Sequence, residues 1–263
     1  MPVEVVLEMY GEKGLVLPFF TGHVARGLLL HIVRQVDPTA ANVLHELNVS
    51  KPYSVTPLRF RSFSRTDSGY VLDPAGPCFV GFRFLKDDLA SYVLKFFERQ
   101  NSVMIFDAVF RIASLSVRGK SYSDLEHEAE AVERFRLIFK TPTYLPCFGS
   151  KYRWMFPDPV RVFSGLVRVW NTFSDARRFS KEEFLNYKEW LTKNVGVCEY
   201  KLWTRLAVMR ERKAVGFMGW ASYEMKDLSN EWGKVTVMLA KYAEYSSIGG
   251  NKTAGYGVTK FRV

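Results

Sequence analysis

The stretch SSIGGNKTAGYGV, residues 246–258, sets Gly249, Gly250, Gly255 and Gly257 around a single amine, Lys252. Glycine backbone carries no Cβ, so its N–H groups can close on a phosphate, and a lysine beside them adds positive charge. Two familiar phosphate loops can be tested by counting. A Walker A loop needs G-x-x-x-x-G-K-[ST], and here Ser246 and Asn251 stand where its glycines should be. A dinucleotide fingerprint opens a helix, whereas the closing VTKFRV, residues 258–263, alternates like a strand. Both are excluded, so the ligand of this loop has to be inferred from the rest of the chain. Proton transfer near neutral pH is histidine chemistry, and the chain has four histidines. His23 and His31 share the polar face of one expected helix, His45 falls near the carboxyl end of the next, and His127 sits among Glu126, Glu128 and Glu130 as a surface residue.

The elements that must position these residues can be read from periodicity and caps. Residues 3–8 alternate as a strand, and 11–18 read as a loop. A helix begins at Thr21 with Val24, Leu28, Ile32 and Val36 as its apolar stripe. Asp37-Pro38 starts a second, short helix to about residue 48, with Val43, Leu44 and Leu47 buried. Strands over 53–60 and 78–85 follow, separated by the turn-rich 67–77. A helix over 88–100, capped by Asp87 and burying Leu89, Tyr92, Val93 and Phe96, leads to a strand over 103–117. This is the order β-α-β-β-α-β of a ferredoxin-like unit.

The polar segment 121–131 reads as a linker. The order then repeats: a strand over 132–140, helices over 159–173 and 181–194, strands over 198–210 and 214–225 joined by a basic turn, a helix over 229–242, the glycine loop and a last strand. The expectation is an α+β protein of two tandem ferredoxin-like (βαββαβ, RRM-like) domains, 1–120 and 132–263, with a glycine-rich loop near the carboxyl terminus.

Lys and Arg outnumber Asp and Glu by 37 to 27, a formal charge of +10 in 263 residues, and aromatic residues make up 15%. Charge interspersed with aromatics suits a folded surface that neutralises phosphates and stacks bases, so nucleic acid leads as partner over an anionic membrane. Cys78, Cys147 and Cys198 form no C-x-x-C pair and have no histidine arrangement of zinc type, so no metal and no cofactor are expected. They read as reduced thiols. The amino terminus is no signal peptide, and no apolar run is long enough to span a bilayer, so the location expected is cytoplasmic.

With Phe19-Phe20-Thr21-Gly22 before the first helix, Leu44-His45-Glu46-Leu47 in the second, Phe139-Lys140-Thr141-Pro142-Thr143 and the terminal loop, the chain resembles a known family along its whole length. It is that of the CRISPR-associated processing endoribonucleases of the RAMP (repeat-associated mysterious protein) superfamily, which cut precursor CRISPR RNA inside each repeat. The loop is similar to the family's G-h-G-x(5)-G-h-G element, with Gly249, Gly255 and Gly257 in register and Ser247 in place of the first glycine.

The resemblance implies metal-independent cleavage that leaves a 2′,3′-cyclic phosphate and a 5′-hydroxyl. It places the family's histidine on His45 and its lysine on Lys51, while the tyrosine position of the first helix falls on Leu30, with His31 adjacent as a substitute. In that chemistry the 2′-hydroxyl is the nucleophile, an imidazole moves protons and an ammonium stabilises the crowded phosphoryl charge. RNA contacts are expected from Gly249, Gly250, Asn251, Lys252, Gly255, Tyr256 and Gly257, from Arg59 and Arg61, and from Arg210, Arg212 and Lys213 at the basic turn. The partner implied is CRISPR repeat RNA, with dimerisation and hand-off of product to an interference complex left open. The other reading is a RAMP-type protein that holds crRNA without cutting it.

Overall fold

β1 (Val3–Gly11) buries Val3, Val5, Leu7 and Met9 on one face, the period-two pattern of a half-buried strand. In the computed structural model, which describes residues 1–46, 50–147, 149–209 and 212–263, it is followed by β2 (Leu15–Leu17), α1 (Gly22–Val36) and α2 (Pro38–His45). Then come β3 (Tyr53–Val55), β4 (Arg59–Phe60), β5 (Phe63–Arg65), β6 (Tyr70–Leu72), β7 (Cys78–Phe84), α3 (Asp88–Phe97), β8 (Ser102–Ile105) and β9 (Ala108–Gly119). The main sheet runs β3-β7-β1-β9-β8, all neighbours antiparallel, with β4 also on β7. With α1 leading from β1 to β3 and α3 from β7 to β9, this is the βαββαβ unit.

The pattern recurs through α4 (Tyr122–His127), β10 (Arg134–Thr143), α5 (Pro159–Phe173), α6 (Lys181–Asn194), β11 (Val195–Met209), β12 (Arg212–Met225), α7 (Glu231–Ser246) and β13 (Thr259–Arg262). The second sheet, β11-β12-β10-β13, is antiparallel throughout. The protein is therefore α+β, two ferredoxin-like folds in tandem, as expected. Each sheet has its own apolar core. One gathers β1, β7 and α1 around Leu7, Leu29 and Phe82; the other gathers β10, α5 and α7 around Leu137, Trp170 and Tyr242. A third, small cluster of Phe20, Tyr144, Ala207, Ala214, Ala254 and Tyr256 draws on both halves of the chain and on the glycine loop.

Local chemistry explains the boundaries that came out as read. Asp37 accepts from the amides of Thr39 and Ala40 at 2.9 and 3.0 Å with Pro38 behind it, and Ser180 with Glu183 forms a reciprocal capping box at the start of α6. Other expectations are corrected. The loop 11–18 and the turn-rich 67–77 hold β2 and β6, which pair with each other, β6 also pairing with β5, in a separate three-stranded sheet. The single strand over 103–117 is a hairpin, β8 and β9, that reverses at Phe106 in the left-handed region (φ 53°). Thr21 precedes α1, but its hydroxyl donates to the Leu58 carbonyl and caps nothing. Val43 is 55% exposed, and Ala41 takes its place with Leu44 as the buried side of α2; the helix ends at His45 with Glu46 as its C-cap, short of the expected 48, and Leu47 lies outside the described residues. Leu89 and Tyr92 are half-buried where burial was expected. The polar segment after β9 contains α4, whose Tyr122 and Leu125 enter the second core.

Candidate nucleic-acid interface

Between the two sheets lies a cleft of about 910 Å³. One wall carries Thr56, Pro57, Arg59, Arg83 and Arg118, and the other Lys140, Thr141, Trp203, Arg205 and Lys260. Glu4 is the lone carboxylate of the lining among the described residues. It is already engaged, with Arg83 at 2.6 Å and with Arg118. Burial alone would push the Glu4 carboxyl up, but the charges and hydrogen bonds of Arg83 and Arg118 hold it below the usual range. Arg59, Lys140, Arg205 and Lys260 make no ion pair among the described residues, and Trp203 is 50% exposed on β11. Unpaired cations along both walls with an open indole between them are the chemistry of a site for a nucleic-acid strand.

The glycine loop is packed against the protein's own backbone. Ile248 donates to the Gly257 carbonyl at 2.9 Å, Gly250 to Tyr144 at 3.2 Å, Gly257 to Pro142 at 3.1 Å, and Gly255 and Tyr256 to carbonyls within the loop. Gly255, Tyr256 and Gly257 are buried, Tyr256 completely, with its ring against Phe20 at 5.0 Å and Tyr144 at 5.9 Å. The amides of these three residues are paired inside the protein. Left-handed backbone at Gly249, Gly255 and Gly257 (φ 86°, 81° and 71°) is what the glycines permit. Ser247, where the family has glycine, also takes a positive φ, 57°, and its hydroxyl donates to Ser54 from the other half of the chain. Gly249, Gly250, Asn251 and Lys252 keep some exposure, and the Lys252 side chain is turned away from the cleft into a separate pocket beside α5.

His45 is exposed in the last turn of α2. Lys51 returns to the same helix end, where its Nζ donates to the Val43 carbonyl at 3.3 Å. Loss of hydration lowers the Lys51 pKa; Glu46 opposes this and Arg26 of α1 adds to it. The same Arg26 lies beside the buried Tyr53 hydroxyl, whose pKa burial raises against that charge. Leu30, one turn after Arg26, packs half-buried against the first core. His31 is exposed elsewhere, lining a groove with His23, Phe19, Met104, Phe106 and Val208 that includes neither His45 nor Lys51.

Among the arginines, Arg59 lines the cleft and stands over the Phe79 ring at 6.0 Å, and Arg61 stands over the same ring at 5.6 Å. Lys213 is exposed near the start of β12 opposite Val208, Arg212 opens that strand, and Arg210 lies outside the described residues. Sequence reasoning missed Lys140, Lys260, Arg83, Arg118 and Trp203, because five strands far apart in the chain bring them together.

The comparisons agree along the chain. Residues 137–259 match the family model described as CRISPR-associated endoribonuclease Cas6, and residues 1–78 the one described as CRISPR Cas6 N-terminal domain. No curated protein matches the sequence. Among solved structures, a Cas6 in complex with product superposes with a TM-score of 0.81 at 23% identity, covering 100% of this chain and 99% of that one. A Thermus thermophilus Cas6 gives 0.77 at 22%, covering 100% and 98%. A further Cas6 product complex gives 0.74 at 19%, covering 100% of both.

Proposed function

The chain belongs to the CRISPR-associated Cas6 endoribonuclease family, and we propose that it cuts precursor CRISPR RNA within the repeat by metal-independent attack of a 2′-hydroxyl. The repeat RNA lies in the basic cleft between the sheets, its backbone neutralised by Arg59, Lys140, Arg205 and Lys260 and a base stacked on Trp203. His45 moves the proton, either from the 2′-hydroxyl or to the departing 5′-oxygen, and the products are a 2′,3′-cyclic phosphate and a 5′-hydroxyl. The observation that carries this reading is the return of Lys51 to the end of α2, 3.3 Å from the Val43 carbonyl, which sets an ammonium beside the His45 turn. There it stabilises charge building on the phosphoryl oxygens.

Repeat RNA incubated with the protein in EDTA tests this. The wild type should cleave, and His45→Ala should lose roughly 10²–10⁴ in rate, the usual worth of a general acid or base, while binding persists. Unimpaired cutting by His45→Ala would remove His45 from the mechanism. A wild type that binds tightly without cutting would favour the second reading, a RAMP-type holder of crRNA. Leu30 favours that one, because it gives α1 an apolar side chain, packed on the core, where the family carries tyrosine.

A further inference from the structure

A pocket of about 680 Å³ opens between α5, α6 and the glycine loop, and it shares no lining residue with the inter-sheet cleft. Its size is within the range of small-ligand sites. Among the described residues, Arg161, Arg168, Lys188 and Lys252 contribute four cationic side chains to its lining, and Asp158 the single carboxylate. That carboxylate is committed to the start of α5, where it accepts from the Arg161 amide at 2.9 Å. Lys252 has neither an ion pair nor a side-chain hydrogen bond among the described residues, and loss of hydration pushes its pKa down to about 8. Ser164, 6% exposed, lines the same pocket with its Oγ buried and unpartnered among the described residues. A poorly hydrated amine and an unsatisfied hydroxyl in one cavity are each unfavourable alone. A tetrahedral anion would satisfy both. Beside them Leu145, Val160 and Trp154 supply an apolar wall, with the Arg161 guanidinium stacked on the Trp154 ring at 4.1 Å.

We propose that this pocket binds a nucleotide phosphate, held by the Lys252 ammonium and the Ser164 hydroxyl with Arg161 close by, at a site separate from the cleavage cleft. The phosphate belongs either to a free mononucleotide or to the 5′ end of an RNA strand. Titration calorimetry with adenosine 5′-monophosphate and with two uncleavable repeat RNAs, 2′-deoxy at the scissile residue and carrying a 5′-phosphate or a 5′-hydroxyl, distinguishes them.

Binding of the mononucleotide, weakened at least about tenfold by Lys252→Met and restored by Lys252→Arg, assigns the pocket to a phosphate; equal affinity for both RNAs then makes the ligand a free nucleotide. A preference for the 5′-phosphorylated RNA that Lys252→Met abolishes makes it a strand end. Wild-type affinity should also fall between pH 7 and pH 9.5 as the amine loses its proton, and Lys252→Met should lack this dependence. Ser164→Ala should weaken binding by a smaller factor. Absence of mononucleotide heat up to about 10 mM together with equal affinity for the two RNAs overturns the proposal, as does binding indifferent to both Lys252→Met and Ser164→Ala. Thermal melts of each variant identify loss through misfolding, in which case the pH profile of the wild type decides. Cleavage by the wild type is read in a separate assay, so the failure of either reading leaves the other standing.

Discussion

Alanine at Gly22 and alanine at Gly27, two positions on one helix, should move stability in opposite directions. Helix propensity alone favours both changes by up to about 1 kcal/mol. At Gly27 nothing lies within 4 Å of an added Cβ, so the gain should be realised, raising Tm by roughly 2–4 °C at the scale expected for a chain of this size. At Gly22 the added Cβ would stand 1.9 Å from the Ala254 carbonyl oxygen, more than an ångström inside the 3.0 Å that such atoms keep. Relief requires displacing the turn Lys252–Ala254, which is tied by Ala254 N–H to Asn251 O at 2.9 Å and Gly255 N–H to Lys252 O at 3.1 Å. Two hydrogen bonds at roughly 1 kcal/mol each, with an overpacking penalty of about 1–3 kcal/mol, leave a net loss near 3 kcal/mol after the propensity gain. Scanning calorimetry should therefore show Gly22→Ala melting about 6–12 °C below wild type. If it melts level with Gly27→Ala, the glycine loop is not wedged against α1 and the reasoning is wrong.

Two further outcomes follow from the cleft. Glu4→Gln leaves Arg83, 3% exposed, without its carboxylate and should cost about 3–5 kcal/mol at pH 7, read from the urea midpoint. Because the Glu4 pKa is lowered by folding, its contribution is present above the unfolded value of 4.5 and is lost as pH falls through the lower folded value. The gap between wild type and Glu4→Gln should thus close in acid, and a gap unchanged at low pH would count against the pairing. For RNA, Lys140→Ala should reduce the slope of log affinity against log salt by about 0.7, one single-strand phosphate contact, while Trp203→Ala should weaken binding by about 1–3 kcal/mol with the slope intact. Filter binding across a salt series separates the two, and an indifferent Trp203→Ala would remove the stacking platform.

Where the sequence spoke clearly, a local chemical signal ended the element. Asp158-Pro159 and the Ser180–Glu183 box fixed the starts of α5 and α6, whose bounds came out as read. The β8–β9 hairpin was invisible for the opposite reason: its reversal uses Phe106 at φ 53°, a conformation for which Gly or Asn is the usual marker. β2, β5 and β6 span three residues each, too few for a period-two pattern to rise above chance. At the candidate site, His45 and Lys51 were named through the family resemblance, and the structure brings Lys51 back to the His45 end of α2. Lys140 and Lys260 were not, since nothing local distinguishes a lysine facing a cleft from one facing solvent. The glycine motif was legible as a motif, but left-handed glycines serve close approach to protein backbone, as at Gly249 and Gly257, as readily as to phosphate.

That distinction changes how any mutation in the loop should be read. Gly257 and Val258 are tied to Pro142 O and Thr141 Oγ1 at 3.1 and 3.0 Å, and Thr141, Pro142 and Val258 line one wall of the cleft. A Cβ at Gly255 would stand 3.0 Å from Pro57, which lines the other wall. The loop thus packs between the walls, so its loss would weaken RNA binding even where no RNA atom touches Gly255, Tyr256 or Gly257. Salt dependence separates the two cases, because deleting a phosphate contact lowers the slope whereas shifting a wall out of register lowers affinity in step with lost stability. Gly255→Ala should behave in the second way: RNA affinity and Tm should fall together, and a fall in affinity with Tm unchanged would return the loop to the role of a direct clamp.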